Sequence, residues 1–220
     1  HLYHAESGYT LSPWKDEPCI AITWDGGGAI THFDTHPNYQ EIESIWRCEP
    51  NTTPKPQWKR YSNHRFLGEI HNQSFVNYLD DCFVCQEDVT ETIDGVESVF
   101  TSLPSMGMNF SNVSYALGCD DMGRAAGKVM GMASYGSQGV MGGVFNRHTI
   151  AQELELQAFE KYCTIIQRAI DLNPDTNKII LSGGFSLNCT NNYKYLDRFP
   201  THQFFVDPVP HDGGTAVGAA

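Results

Sequence analysis

The chain has 220 residues, with 14 Lys and Arg against 26 Asp and Glu and a formal net charge of −12. Apolar residues make up 40%, charged residues 18% and aromatics 12%, which excludes a disordered or fibrous chain and leaves a globule long enough to bury a core. The acidic balance argues against nucleic acid and anionic membranes as partners, since both are gripped by neutralising cations, and no apolar run approaches the ~20 residues that span a bilayer.

The opening His1-Leu2-Tyr3-His4-Ala5-Glu6 places two imidazoles three apart, where a helix would bring them to one face; neutral imidazole is a ligand for iron, manganese or zinc. Pro18 to Trp24 and Ala29 to Phe33 read as two strands joined by the turn Asp25-Gly26-Gly27-Gly28, a hairpin pattern. His32 and His36 offer another possible site, in a strand-to-loop setting that scatters side chains. Residues 41–60, broken by Pro50, Pro54 and Pro56, read as an irregular surface excursion. Residues 64–85 recover helical spacing through Phe66, Leu67, Ile70, Phe75, Val76 and Leu79. Cys82 and Cys85 have zinc-ligand spacing but no second pair follows. Residues 90–112 show no clean period and read as a variable insertion or linker.

Order returns with a helix-like stretch from Gly123 to Gly136, bracketed by small residues, and a helical stripe from Ile150 to Leu172 that Asn173-Pro174 ends. Lys178 to Ser182 is a short buried-strand pattern running into Gly183-Gly184, and Gln203 to Val206 is another. After Pro208 and Pro210, His211-Asp212-Gly213-Gly214 opens a helix of small residues. Strands and helices alternate, so the expected class is α/β. The chain starts without Met and ends inside a helix start, which reads as a fragment. Seven cysteines without a repeating spacing, and no basic-then-apolar leader, point to reduced thiols in a cytoplasmic protein. In that setting the sequons at Asn51, Asn72, Asn109, Asn112 and Asn188 carry no meaning.

Glycine-rich turns follow the strands at Asp25-Gly26-Gly27-Gly28, Ser182-Gly183-Gly184-Phe185 and Asp212-Gly213-Gly214-Thr215. Without side chains, backbone N–H groups can approach an anion, and a neighbouring Asp can hold a metal against the same phosphates. As tight turns alone they need no ligand. Neither common phosphate fingerprint is present: Val129 follows Gly127-Lys128 where a phosphate loop has Ser or Thr, and no Gly-x-Gly-x-x-Gly follows a strand.

The order of these pieces, His-x-x-His-Ala, Asp-Gly-x-Gly, Gly127 to Gly136, Leu181 to Cys189 and Asp212 to Ala220, resembles the nodulation and antibiotic O-carbamoyltransferases. The resemblance is strongest over 123–136 and from Ile179 onward, and absent between Ile42 and Asn112. It implies that residues 1–220 are a partial N-terminal transfer domain of actin-like ATPase (ribonuclease H-like) fold, with insertions at 41–60 and 90–112, related to the enzyme that puts threonylcarbamoyl on tRNA. Members of that family form carbamoyl-adenylate from carbamoyl phosphate and ATP in a C-terminal domain. The transfer domain then passes the carbamoyl group to the hydroxyl of a small molecule or sugar.

Carried over by residue, the resemblance makes His4 and Asp212 ligands of a divalent metal, Fe2+ or Mn2+, Asp25 the aspartate that reaches the same metal or the bound phosphate, and His1 the middle histidine of the motif. Gly127, Lys128, Gly183, Gly184 and Asn188 fall where the family holds the nucleotide. It assigns no general base. Ala29 stands where the family has Glu, and Met132 where Leu is common. The early strands of the first lobe and the adenylate-forming domain are expected outside these residues, so this piece alone is expected to be inactive. Two other readings stay open: a non-catalytic actin-like nucleotide-binding module, which Ala29 favours, and a tRNA threonylcarbamoyltransferase relative, which the −12 charge does not favour.

Overall fold

The strand Cys19–Trp24 (β1) is buried along its whole length, as a strand flanked on both edges and covered on both faces must be. In the computed structural model, which describes residues 1–28, 30–33, 36–63, 88–119, 125–136 and 147–220, β1 lies between Tyr39–Cys48 (β3), antiparallel, and Lys178–Ser182 (β7), parallel. The other strands are Ile30–Thr31 (β2), Lys55–Ser62 (β4), Val89–Ile93 (β5), Val96–Thr101 (β6) and Gln203–Val206 (β8). Together they form one eight-stranded mixed sheet in the order β5-β6-β4-β3-β1-β7-β8, with β2 on β3.

Helices cover both faces, as the α/β class requires. Leu2–Leu11 (α1) packs on the face carrying Cys19, Ala21, Trp46, Cys48 and Ile180, where Ala5, Tyr9 and Trp14 complete a small core. The larger core lies on the other face. There Ile20, Ile22 and Trp24 meet Met106–Ala116 (α2), Ala126–Ala133 (α3) and Arg147–Leu172 (α4) through Phe110, Val129, Leu154 and Tyr162. Trp24 is the hub: its ring centroid is 4.4 Å from that of Tyr162, and its Nε1 donates to Ser186 Oγ at 2.6 Å. Cys189–Arg198 (α5) and the short Thr215–Gly218 (α6) complete the helices described. Cys19, Cys48, Cys119, Cys163 and Cys189 are free.

The structure corrects three of the expectations. β1 and β2 do not form a hairpin; both run along β3, with Cys19 opposite Cys48 and Ile30 opposite Gln40. The intervening turn stays on the same strand, because Asp25 N–H and Gly28 N–H donate to the carbonyls of Ile42 and Glu41. Residues 41–60 are not an irregular excursion but most of the β3-β4 hairpin. Pro50 and Pro54 sit in its turn, and Pro56 falls at a register shift beside Trp46, where the ladder tolerates a missing donor. Residues 90–112 are likewise ordered, as the β5-β6 hairpin and the first part of α2. Asp94 and Gly95, with φ of 52° and 81°, make the two-residue turn that suits strand twist, and Ser105 caps α2 by accepting from Met108 N–H.

The helix over 150–172 and the strands at 178–182 and 203–206 lie where the sequence places them. The helix expected over 123–136 occupies Ala126–Ala133. The 64–85 segment and Cys82 and Cys85 lie outside the described residues. His36 stacks on Phe100, ring centroids 3.9 Å apart, and pairs with Glu91 at 3.0 Å, so it is tied into β5 and β6 packing.

Where α4 meets α5, Glu155 is buried, with Oε2 accepting from Asn188 Nδ2 at 3.0 Å and Oε1 unpartnered. Burial pushes its carboxyl above the ordinary range, opposed by Asn188 and by Lys194. The unfolded chain therefore releases this proton first, and stability falls as pH rises from the unfolded carboxylate range, about 4.3, through the raised folded value. Glu155→Gln keeps an acceptor for Asn188 and removes that loss. Urea denaturation should find the variant more stable than wild type at pH 8, with the difference vanishing near pH 4.

Candidate metal centre

Three side chains from distant parts of the chain meet at the carboxyl ends of the parallel neighbours β1 and β7, the end of a parallel sheet where ligands bind. Asp25 follows the last residue of β1. Its Oδ1 accepts from Gly26 N–H at 2.6 Å, which leaves Oδ2 directed at His4. His4 faces inward from the first turn of α1, its Nε2 3.3 Å from Asp25 Oδ2 and 3.7 Å from Asp212 Oδ1. Asp212 opens the 3-10 turn Asp212–Gly214, which the His211 ring holds by accepting from Gly213 N–H at 3.0 Å.

One ligand atom from each of His4, Asp25 and Asp212 lies within 4.8 Å of the other two. Bonds of about 2.1 Å to one ion separate ligand atoms by about 3 to 4.2 Å, so a small closure fits the three to a divalent cation. One imidazole and two carboxylates suit Fe2+, Mn2+ or Zn2+. Exposure rises across the group, from 4% for the His4 side chain to 18% for Asp25 and 92% for Asp212. The site is therefore walled on the His4 side and open at Asp212. His4 Nδ1 is buried without a hydrogen-bond partner.

The predicted nucleotide residues divide. Gly183 and Gly184 adjoin the group. Gly183 has φ of +87°, and a Cβ there would fall 2.3 Å from the Trp24 carbonyl oxygen, so the turn after β7 presses on the end of β1. A Cβ on Gly184 would lie 2.9 Å from Asp25 Oδ1, so a bare backbone borders the carboxylate. Gly127 and Lys128 are exposed on α3; Lys128 Nζ donates to the Cys119 carbonyl at 3.2 Å, and no hydrogen bond or ion pair joins either to the three ligands.

Asn188 has partners inside the protein. Its side chain is buried and spent inside the protein, Oδ1 accepting from Asn191 N–H at the start of α5 and Nδ2 donating to Glu155. Helix capping accounts for Asn at this position. Sequence reasoning also missed the residues behind His1: its Nδ1 lies 3.0 Å from Ser44 Oγ, 3.3 Å from Thr23 Oγ1 and 3.5 Å from Glu41 Oε1. The polar run Glu41, Glu43, Ser44 within a strand could have signalled them.

The fold and site define an α/β protein with an acidic, histidine-bearing group at the carboxyl ends of adjacent parallel strands. No family model matches the chain, and no curated protein matches it. Solved structures do: 41 chains match. Among them is the crystal structure of full-length HypF in the phosphate- and nucleotide-bound form, with a TM-score of 0.58 and 15% identity over 100% of this chain. The chain spans 41% of the HypF chain, and at this identity the likeness is one of fold.

The two glycines separate experimentally. Gly183→Ala should cost about 3 kcal/mol in denaturant unfolding, because it combines a positive φ with a backbone clash. Gly184→Ala should cost under about 1 kcal/mol and weaken Mn2+ binding by roughly 10-fold, because its methyl displaces Asp25. Calorimetric Mn2+ titration of the folded variant checks the second.

Proposed function

We propose that this chain is the carbamoyl-transfer part of an ATP-dependent O-carbamoyltransferase, built on an actin-like ATPase fold. The observation that carries the reading is the meeting of His4, Asp25 and Asp212, the three residues that the sequence resemblance assigns to a metal and the phosphate beside it. The fold shared with part of a HypF structure solved with phosphate and nucleotide supports nucleotide use.

In this reading a divalent cation, Fe2+ or Mn2+, supplies a Lewis acid that stabilises charge on a carbamoyl or phosphoryl oxygen. The protein does the holding and shaping. His4 is fixed by burial in α1, Asp25 is aimed by Gly26 N–H, and Asp212 approaches from the open side. Gly183 lets the turn after β7 press on the end of β1, and Gly184 sets bare backbone against Asp25, where an adenylate phosphate would approach. A C-terminal adenylate-forming domain supplies carbamoyl-adenylate from carbamoyl phosphate and ATP, and the acceptor is a small-molecule or sugar hydroxyl entering from the Asp212 side. A hydroxyl attacks poorly at neutral pH, so transfer depends on positioning it against an activated carbamoyl carbon.

The test is metal analysis of the intact protein together with AMP release and carbamoyl transfer. About one equivalent of iron or manganese is expected, lost in Asp212→Ala and His4→Ala, with transfer falling on the order of 100-fold or more. Metal-free protein that binds ATP as tightly as the loaded form, with no transfer, would favour a nucleotide-binding module without chemistry.

A further inference from the structure

Side-chain packing does not hold Asp212 in place. Its side chain is 92% exposed, so its position 3.7 Å from His4 Nε2 is set by the backbone of the loop that carries it. That loop runs over residues 207–214, from the end of β8 to the start of α6. Pro208 and Pro210 have no N–H to give, so between them only the Val209 N–H can tie the first half of the loop to the sheet.

Asp207 makes that tie. Its N–H donates to the Leu181 carbonyl at 2.9 Å, one step beyond the β7-β8 ladder, and the residue is 1% exposed. Its Oδ2 accepts from Ser182 Oγ, on the last residue of β7, at 2.8 Å, and its Oδ1 accepts from Val209 N–H at 2.9 Å. One buried carboxylate thus joins the end of a parallel strand to the loop. Beyond Val209 the loop folds back on itself: a Cβ on Gly214 would lie 1.9 Å from the Val209 carbonyl oxygen, so the two backbones touch, and Gly214 N–H donates to the His211 carbonyl at 2.8 Å. Asp212 lies between these two points. Helix α1 rests on the same clamp, since a Cβ on Gly8 would fall 3.5 Å from Ser182 Cβ and 3.7 Å from Asp207 Oδ2. The helix that carries His4 and the loop that carries Asp212 therefore share one buried support.

Resting on the metal-centre reading, we propose that Asp207 is the positioning residue of the centre: its carboxylate clamps the loop to β7 and so presents Asp212 to a divalent cation held with His4 and Asp25. Supporting residues of this kind hold a ligand at its working distance although they do not touch the ion. Hydrogen bonds to a carboxylate are roughly twice as strong as those to a neutral acceptor, so Asp holds the loop more firmly than Asn would. Without the clamp, His4 and Asp25 keep their own supports, in α1 and in the Gly26 N–H, and Asp212 alone loses its place.

Calorimetric titration of the intact protein with Mn2+ provides the test, with circular dichroism to establish that each variant is folded. Asp207→Ala should weaken Mn2+ binding on the order of 10-fold. Asp207→Asn, which keeps an acceptor for Val209 N–H, should recover part of that loss. In the metal-free protein, hydrogen exchange at the Val209 amide should be faster in Asp207→Ala than in wild type by on the order of 10-fold. If Asp207→Ala does not fold, Ser182→Ala removes one of the two clamp bonds and should still weaken Mn2+ binding, by a smaller factor. Wild-type Mn2+ affinity in folded Asp207→Ala or in Ser182→Ala, or an Asp207→Asn variant no better than Asp207→Ala, overturns the role of Asp207 and leaves the metal centre standing. Unchanged Val209 exchange in Asp207→Ala overturns it as well. A wild-type protein that binds no Mn2+ overturns the metal centre and the proposal together.

Discussion

The ladder that β1 makes with β3 on one side and β7 on the other is the constraint on which the rest depends. A fully buried strand must satisfy every backbone group through its two neighbours, so its register is fixed across its whole length. That register puts alternate residues on opposite faces and gives each face its own core. It also ends the strand at Trp24, whose ring locks α4 against the sheet, so the next residue, Asp25, leaves the ladder at one defined place. The site is thus positioned by the most rigid part of the fold.

A gradient of solvent access runs outward from that strand end. Beneath the sheet, buried Glu43 lies between Lys161 at 3.0 Å and Arg60 at 3.5 Å, and burial pulls the Lys161 ammonium downward while Glu43 pulls it back. On the α1 face, Glu41, Ser44 and Lys59 line up behind His1. Charges in this acidic chain are therefore placed in local pairs around a small volume, and the net −12 says little about what that volume can hold. A cation among carboxylates and an anion against bare glycine backbone are both compatible with it.

Elements with a strong period or a sharp stop were legible in the sequence: α4 through its stripe and Asn173-Pro174, β7 and β8 through short apolar runs. β3 and β4 were not, because Glu41, Glu43 and Ser44 break the apolar pattern that usually marks a buried strand and tertiary ion pairs compensate for them. The β5-β6 hairpin carried its own signal in Asp94-Gly95, overlooked within a polar segment. Of the site, His4, Asp25 and Asp212 came from resemblance rather than period, since no local pattern links residues so far apart. The capping role of Asn188 was not legible, because a buried helix cap and a ligand-binding amide look alike in a string of letters. The shell behind His1 stayed invisible because it lies on the strand that was missed.

The route of the chain through the sheet has a further consequence for how the protein forms. β1 pairs with β7, and α1 packs against α6, across nearly the full length of the described chain. Contacts of such high sequence separation form slowly, because the loop between them must close before either partner is rewarded. His4 and Asp212 therefore meet only once the opposite ends of the sheet region have found each other. Any ligand that bridges them binds the finished fold and not its precursors, so occupancy adds directly to global stability by mass action. The candidate centre would then act as a late fastener of the native state as well as a place for chemistry.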